Sequence, residues 1–135
     1  MDSSGEAIEL MRRLWSGHAG FLRPEPPPPI IVGGFGPRMA GIAGRHGDGF
    51  NTQAMHPKLA DLARIARDEH QAAGRDPSAF ALTVFAGFDG RWLDPASRAR
   101  QSLDRIGVAR LILLTQPPYD PDEIRQAGRR LTTSR

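Results

Sequence analysis

The chain's 135 residues fit one ordinary domain, and at 39% hydrophobic it can bury a modest core. It has no cysteine, which excludes disulfides, zinc thiolates and thiol catalysis. The net charge of +3 and the pI of about 10.5 come from basic residues interspersed with acidic ones, whereas a nucleic-acid surface needs its cations clustered.

Lys58 is the only lysine; arginine without lysine, beside abundant Ala, Gly and Pro, reads as coding bias rather than a binding footprint. No apolar run approaches the roughly 20 residues of a membrane helix. The start, MDSSGEAIEL, is acidic and polar, unlike a signal peptide. The expectation is a soluble cytoplasmic protein.

In chain order, Ser3 to Trp15 reads as a helix. Ser3 and Glu6 have capping-box spacing, Ile8, Met11 and Trp15 share one face, and Gly17 suits a left-handed stop. Residues 18–29, HAGFLRPEPPPP, form a stiff proline-rich connector, either a spacer or a polyproline recruiting segment. Ile30–Val32 is a short strand with no polar alternation, as in a parallel strand buried on both faces. Pro37 fits the first turn of a helix, with Met39, Ile42, Ala43 and His46 on one face. GDGFN (47–51) is a weaker candidate strand. Pro57 opens the next helix, with Leu59, Leu62, Ala63, Ala66 and Ala73 as its buried stripe and Gly74 as its stop. FALTVFAGF (80–88) reads as a strand. Asp94-Pro95 opens a helix that ends at Gly107, ARLILLT (109–115) is the strongest strand, and Asp120 with Pro121 and Glu123 opens a last helix. A helix followed by four strand–helix units predicts an α/β fold with parallel strands joined by crossovers. Four such units make either a small open sheet or half of an eight-unit barrel.

The turn between the first strand and its helix concentrates bare backbone: Gly33, Gly34 and Gly36 stand within four positions, followed by Arg38. One reading is an anion cradle. Glycines let a ligand approach closely and allow positive φ, the helix start offers free N–H groups, and Arg38 can add a bidentate contact to phosphate. The other is a tight strand-to-helix turn with no ligand. The turn matches neither the dinucleotide G-x-G-x-x-G nor a phosphate loop with Lys-Ser or Lys-Thr.

EAIELMRRLWSG (6–17), PPIIVGGFGPRMAGIAGRHGDGFN (28–51), GRDPSAFALTVF (74–85) and RIGVARLILL (105–114) together resemble the luciferase-like monooxygenase family. The likeness lies in a Leu-Trp-ending helix, a P-P-I strand, a G-G-x-G-x-R turn and an Asp-Gly-aromatic-Asn segment, in order. It runs along nearly the whole chain but covers only the family's C-terminal half. It implies four of the eight strands of a TIM (β/α)8 barrel, so that residues 1–135 are one partial domain. It also implies an oxidoreductase cofactor, either FMN or the deazaflavin coenzyme F-420, hereafter F420. By this likeness Gly33, Gly34, Phe35, Gly36 and Arg38 correspond to the turn that cradles the cofactor phosphate. The usual catalytic side chains and most of the ring-binding wall belong to the family's N-terminal half, so no catalytic residue is assigned here. The connector at 18–29 is shorter than in the family, which implies that part of the substrate-side insertion is gone.

His18, His46, His56 and His70 lack metal-ligand spacing, so no metal is expected. His46 reads as a hydrogen-bonded core residue. Asp48 and Asn51 fall at a predicted strand end, either touching a cofactor or forming a turn. Trp15 reads as core, and Trp92 as a loop anchor or interface residue. A half-barrel exposes two sheet edges and an apolar face, with Ile31, Val84, Leu111 and Leu113 near it. It is expected to pair with itself or with a separate N-terminal half, and to be inactive alone. The alternatives are a non-catalytic anion-binding or interaction module derived from the same family and, more weakly, a basic nucleic-acid binder.

Overall fold

The computed structural model describes residues 3–20 and 22–133, so position 21 of the connector lies outside the described residues. Helix α1 (Ser3–Trp15) precedes four strand–helix units. These are β1 (Ile31–Gly33) with α2 (Pro37–His46) and β2 (Gly49–Gln53) with α3 (Leu59–Ala72). They continue with β3 (Ala81–Gly87) and α4 (Arg98–Ile106), then β4 (Arg110–Leu114) and α5 (Pro121–Thr133). The strands are all parallel and lie side by side in chain order. No helix among the described residues is long and apolar enough to cross a membrane.

Local chemistry accounts for most boundaries. Pro37 opens α2 after Gly36, whose extended φ of −140° places it as the cap. Gly107 ends α4 in the left-handed region, at φ 77°, with its N–H bonded to the carbonyls of Leu103 and Asp104. Asp120 Oδ1 accepts the N–H of Asp122 at 2.8 Å and that of Glu123 at 3.3 Å, capping α5.

Several boundaries move: β2 is Gly49–Gln53 rather than 47–51, and α3 starts at Leu59 rather than Pro57. Helix α4 starts at Arg98 rather than behind Asp94-Pro95, because Ser97 is its cap and Asp94 instead accepts the N–H of Ala96 in a turn. That turn follows a 3-10 segment, Gly90–Leu93, which buries Trp92 and Leu93. Trp92 is therefore a core residue, 2% exposed. Strand β1 begins at Ile31, because both backbone groups of Ile30 are engaged by Asp48: its N–H by the carboxylate at 2.8 Å, its carbonyl by the Asp48 N–H at 2.7 Å.

Strand register sorts the side chains into two faces. Val32, Phe50 and Leu82 share one row, and Thr52, Val84 and Leu111 another, all toward the helices. The first row packs with Ile8, Ile42, Leu62 and Ala66, and Val84 packs with Leu59, Trp92 and Leu103. Glycine sets how near the helices come: a Cβ at Gly44 of α2 would lie 2.2 Å from the Ala66 carbonyl oxygen of α3. The buried stripe of α3 ends on His70 rather than on Ala73, which is exposed. His70 is 1% exposed, with its ring nitrogens 3.2 Å from the Gly44 carbonyl and 3.0 Å from that of Asp76. His46, in contrast, is half-buried beside Glu9, 3.4 Å away, and is not a core residue.

Among the described residues, no helix packs against the opposite sheet face. Ile31, Phe85, Ile112 and Leu114 belong to it, with Asn51 and Thr83 between them. Val84, Leu111 and Leu113, expected near this open face, point to the helices instead, because the strand register puts them one residue out of phase with it.

Candidate functional site

The chain from Gly33 to Arg38 turns from the end of β1 into α2 at the carboxyl end of the strands, the end where ligands of strand–helix folds sit. Its anchor is a bond from the Gly34 N–H to the Asn51 carbonyl, 3.0 Å. The first bond of the α2 ladder runs from the Ala40 N–H to the Gly36 carbonyl, 3.1 Å, so the N–H groups of Arg38 and Met39 precede it.

The three glycines do different things. None has a positive φ; those in this chain are Gly17, Gly20, Gly74 and Gly107. At Gly34 a Cβ would stand 2.4 Å from Met39 Cβ, so this glycine is required for α2 to fold back on the strand end. At Gly33 and Gly36 a Cβ would meet nothing within 4 Å, so the backbone there is bare and borders open space. That open backbone at a helix start fits an anion, which the helix dipole and N–H groups favour. Arg38 lies on the exposed side of the first helical turn. The turn thus has the open backbone and the cation that suit an anion.

Phe35 is 59% exposed, and its ring meets Phe85 edge-on, with centroids 6.3 Å apart and planes at 80°. Phe85 occupies the open-face row with Gln53 and Ile112. It also lines a hollow of about 530 Å³ at the strand ends, with Gln53, Met55, Arg91, Trp92 and Gln116. One residue pair deeper, Asn51 Nδ2 donates to Thr83 Oγ1 at 2.7 Å on the open face.

Asp48 does not belong to this end. It precedes β2 and lies at the amino end of the strands. Its Oδ1 accepts from Arg12 at 2.9 Å and Arg75 at 2.6 Å, and its Oδ2 from the Ile30 N–H. Arg12 also reaches the His46 carbonyl, and Arg75 that of Gly47. Partial burial pushes the Asp48 carboxyl up, but the Ile30 N–H and the two guanidiniums outweigh it and hold it below the ordinary carboxylate range. Asp48 is therefore a clamp joining α1, the entries to β1 and β2, and the loop after α3. The proline connector lies at this end too. Its prolines line a larger hollow of about 610 Å³ with Arg12, Trp15 and Asp48. The connector thus runs at the amino end of the strands, opposite the glycine turn.

Of the residues singled out in the sequence, Gly33, Gly34, Phe35, Gly36 and Arg38 lie together, Asn51 is next to them through Gly34, and Asp48 is at the far end. Phe85 and Thr83 escaped the sequence reading. Strand periodicity alone could have placed them on one face, but only the register with β2 brings them to the turn.

Four parallel strand–helix units with an open glycine turn at the carboxyl ends of the strands make half of a (β/α)8-barrel enzyme fold. The chain belongs to the luciferase-like monooxygenase family, whose model matches residues 2–128. It is 41% identical over 87 residues to an F420-dependent hydroxymycolic acid dehydrogenase of Mycobacterium tuberculosis (strain ATCC 25618 / H37Rv), covering 54% of this chain and 24% of that protein. Among solved structures, an F420-dependent secondary alcohol dehydrogenase in complex with an F420-acetone adduct superposes with a TM-score of 0.57 at 18% identity, over 97% of this chain and 52% of that one. The coenzyme F420-dependent tetrahydromethanopterin reductase from Methanopyrus kandleri also gives 0.57, at 14% identity, over 78% and 50%. The chain thus spans about half the length of these solved relatives and a quarter of the mycobacterial one.

Proposed function

We propose that this chain is the C-terminal half-barrel of a deazaflavin-dependent oxidoreductase, and that the turn Gly33–Gly36 with Arg38 holds the phosphate of its cofactor. The observation that carries the reading is the bare backbone at Gly33 and Gly36, placed at a helix start on the ligand-binding end of the strands. F420 is preferred to FMN because the three relatives above are all named for F420. Their names, two dehydrogenases and a reductase, favour hydride transfer over oxygen activation. When bound, the deazaflavin ring would supply the hydride chemistry. The chain's own residues bind and orient it: backbone N–H groups and the Arg38 guanidinium fix the phosphate, and the open sheet face forms one side of the chamber.

The test is a fluorescence titration of the purified chain with F420, beside calorimetry with inorganic phosphate. The oxidoreductase reading expects F420 to bind more tightly than phosphate, because the sheet face also meets the rest of the cofactor. A non-catalytic anion-binding module would bind both equally, and absence of binding to either would leave the glycines as turn residues only.

Two further outcomes are expected. The open face and the edges at β1 and β4 make this chain self-associate or bind an N-terminal half-barrel. Light scattering at micromolar concentration should show a dimer or larger species, and a stable monomer would contradict this. The chain alone should show no appreciable turnover with reduced F420 or reduced FMN, since half of the chamber wall is not part of it. Turnover would mean that self-pairing rebuilds a working site.

A further inference from the structure

We infer that Phe35 is a stacking residue for the cofactor ring or its linker, set between the anion turn and the hollow at the strand ends, and not part of the phosphate contact; this rests on the cofactor reading above. Three observations lie along one line. The helix start at Gly36 and Arg38 suits an anion. The residue just before it, Phe35, turns its ring across β2 to reach Phe85 on β3, so the side chain leans over the sheet and not back toward the helices. Phe85 in turn lines the hollow of about 530 Å³ whose polar groups include Gln53, Arg91 and Gln116. Side by side, these give an anion site, an aromatic pair and a chamber with polar walls.

Phe35 is 59% exposed, so apart from its edge-on contact with Phe85 most of its ring is open to a ligand. The edge-on geometry, with planes at 80°, leaves at least one face of the Phe35 ring clear of its partner, whichever ring supplies the edge. A flat ligand can lie against such a face while its phosphate sits on the turn. The ligand class that fits all three parts is a phosphorylated heteroaromatic whose anion and ring are separated by a flexible linker. Phosphate alone uses only the first part.

The inference is tested with Phe35→Ala, Phe35→Leu and Phe35→Trp, titrated with F420 by fluorescence and with inorganic phosphate by calorimetry. Loss of a stacking face should weaken F420 roughly ten- to thirtyfold in Phe35→Ala. Phe35→Leu, which keeps apolar bulk without a flat face, should lose most of the same affinity, and Phe35→Trp should retain it. Phosphate affinity, carried by backbone N–H groups and Arg38, should be unchanged in all three variants, and the melting temperature should fall only slightly in Phe35→Ala, through loss of the edge-on contact with Phe85. If the wild type prefers F420 to phosphate and Phe35→Ala does not alter that preference, the ring does not stack and the inference fails alone. If Phe35→Leu matches the wild type, the side chain is only an apolar cover, which also overturns it. If the wild type binds F420 no better than phosphate, the cofactor reading itself fails, and this inference with it.

Discussion

Asp48→Ala is expected to destabilise the chain by about 2–3 kcal/mol and to lower its melting temperature by roughly 10 °C, although it touches no part of the proposed cofactor site. The carboxylate accepts three hydrogen bonds, from Arg12, Arg75 and the Ile30 N–H. Its side chain and that of Arg75 are each less than a third exposed, so truncation leaves two partly buried guanidiniums without their shared partner. The effect should depend on pH in one direction. The Asp48 carboxyl is held below its ordinary value in the folded state, so its contribution is fully present above the unfolded value and is lost as the pH falls through the folded one. Melts of wild type and Asp48→Ala should therefore differ most at neutral pH and converge below about pH 4. A constant difference down to pH 2 would mean that the side chain acts by packing rather than by charge.

Arg38→Ala is expected to weaken binding of F420, of FMN and of a simple phosphate ester alike, by roughly ten- to a hundredfold. That is the range of one charge-assisted hydrogen bond, about 1.5–3 kcal/mol. Its stability should change by no more than about 1 kcal/mol, because Arg38 is exposed. Gly34→Val separates the two roles of the turn. Its side chain would enter the space of Met39, since even a Cβ would stand 2.4 Å from Met39 Cβ. The variant should lose about 1–3 kcal/mol of stability as well as affinity. The strain there is steric crowding and not an unfavourable φ. Calorimetric titration with thermal melts alongside distinguishes the cases. An Arg38→Ala protein silent in both assays, beside a destabilised Gly34→Val, would reduce the turn to architecture.

The order of elements was legible because local signals carry it. Pro37, Gly74, Gly107 and Asp120 each mark a helix end by backbone chemistry that needs no partner. The glycine turn was legible for the same reason, since its residues are contiguous. What escaped depends on contacts across the chain. Arg12 and Arg75 meet Asp48 from 36 and 27 residues away, and nothing in GDG announces them. Asp48 was therefore placed with the ligand end, where a strand boundary one or two residues off would put it. His70 was weighed only as a metal ligand; its burial depends on carbonyls of Gly44 and Asp76 that no periodicity shows. Val84, Leu111 and Leu113 were assigned to the open face because an apolar strand has no polar alternation to fix its phase; only the pairing with β2 and β3 sets it.

The most direct test of the cofactor reading is a two-dimensional amide NMR titration of the isotopically labelled chain with F420. The account predicts that the amide signals of Gly33, Gly34, Phe35, Gly36 and Arg38 shift most, that Asn51 and Phe85 follow, and that those of Asp48 and Arg75 at the opposite end of the strands stay in place. Shifts centred on Arg12, Asp48 and the proline connector, or no shifts at the glycine turn at saturating F420, would contradict it.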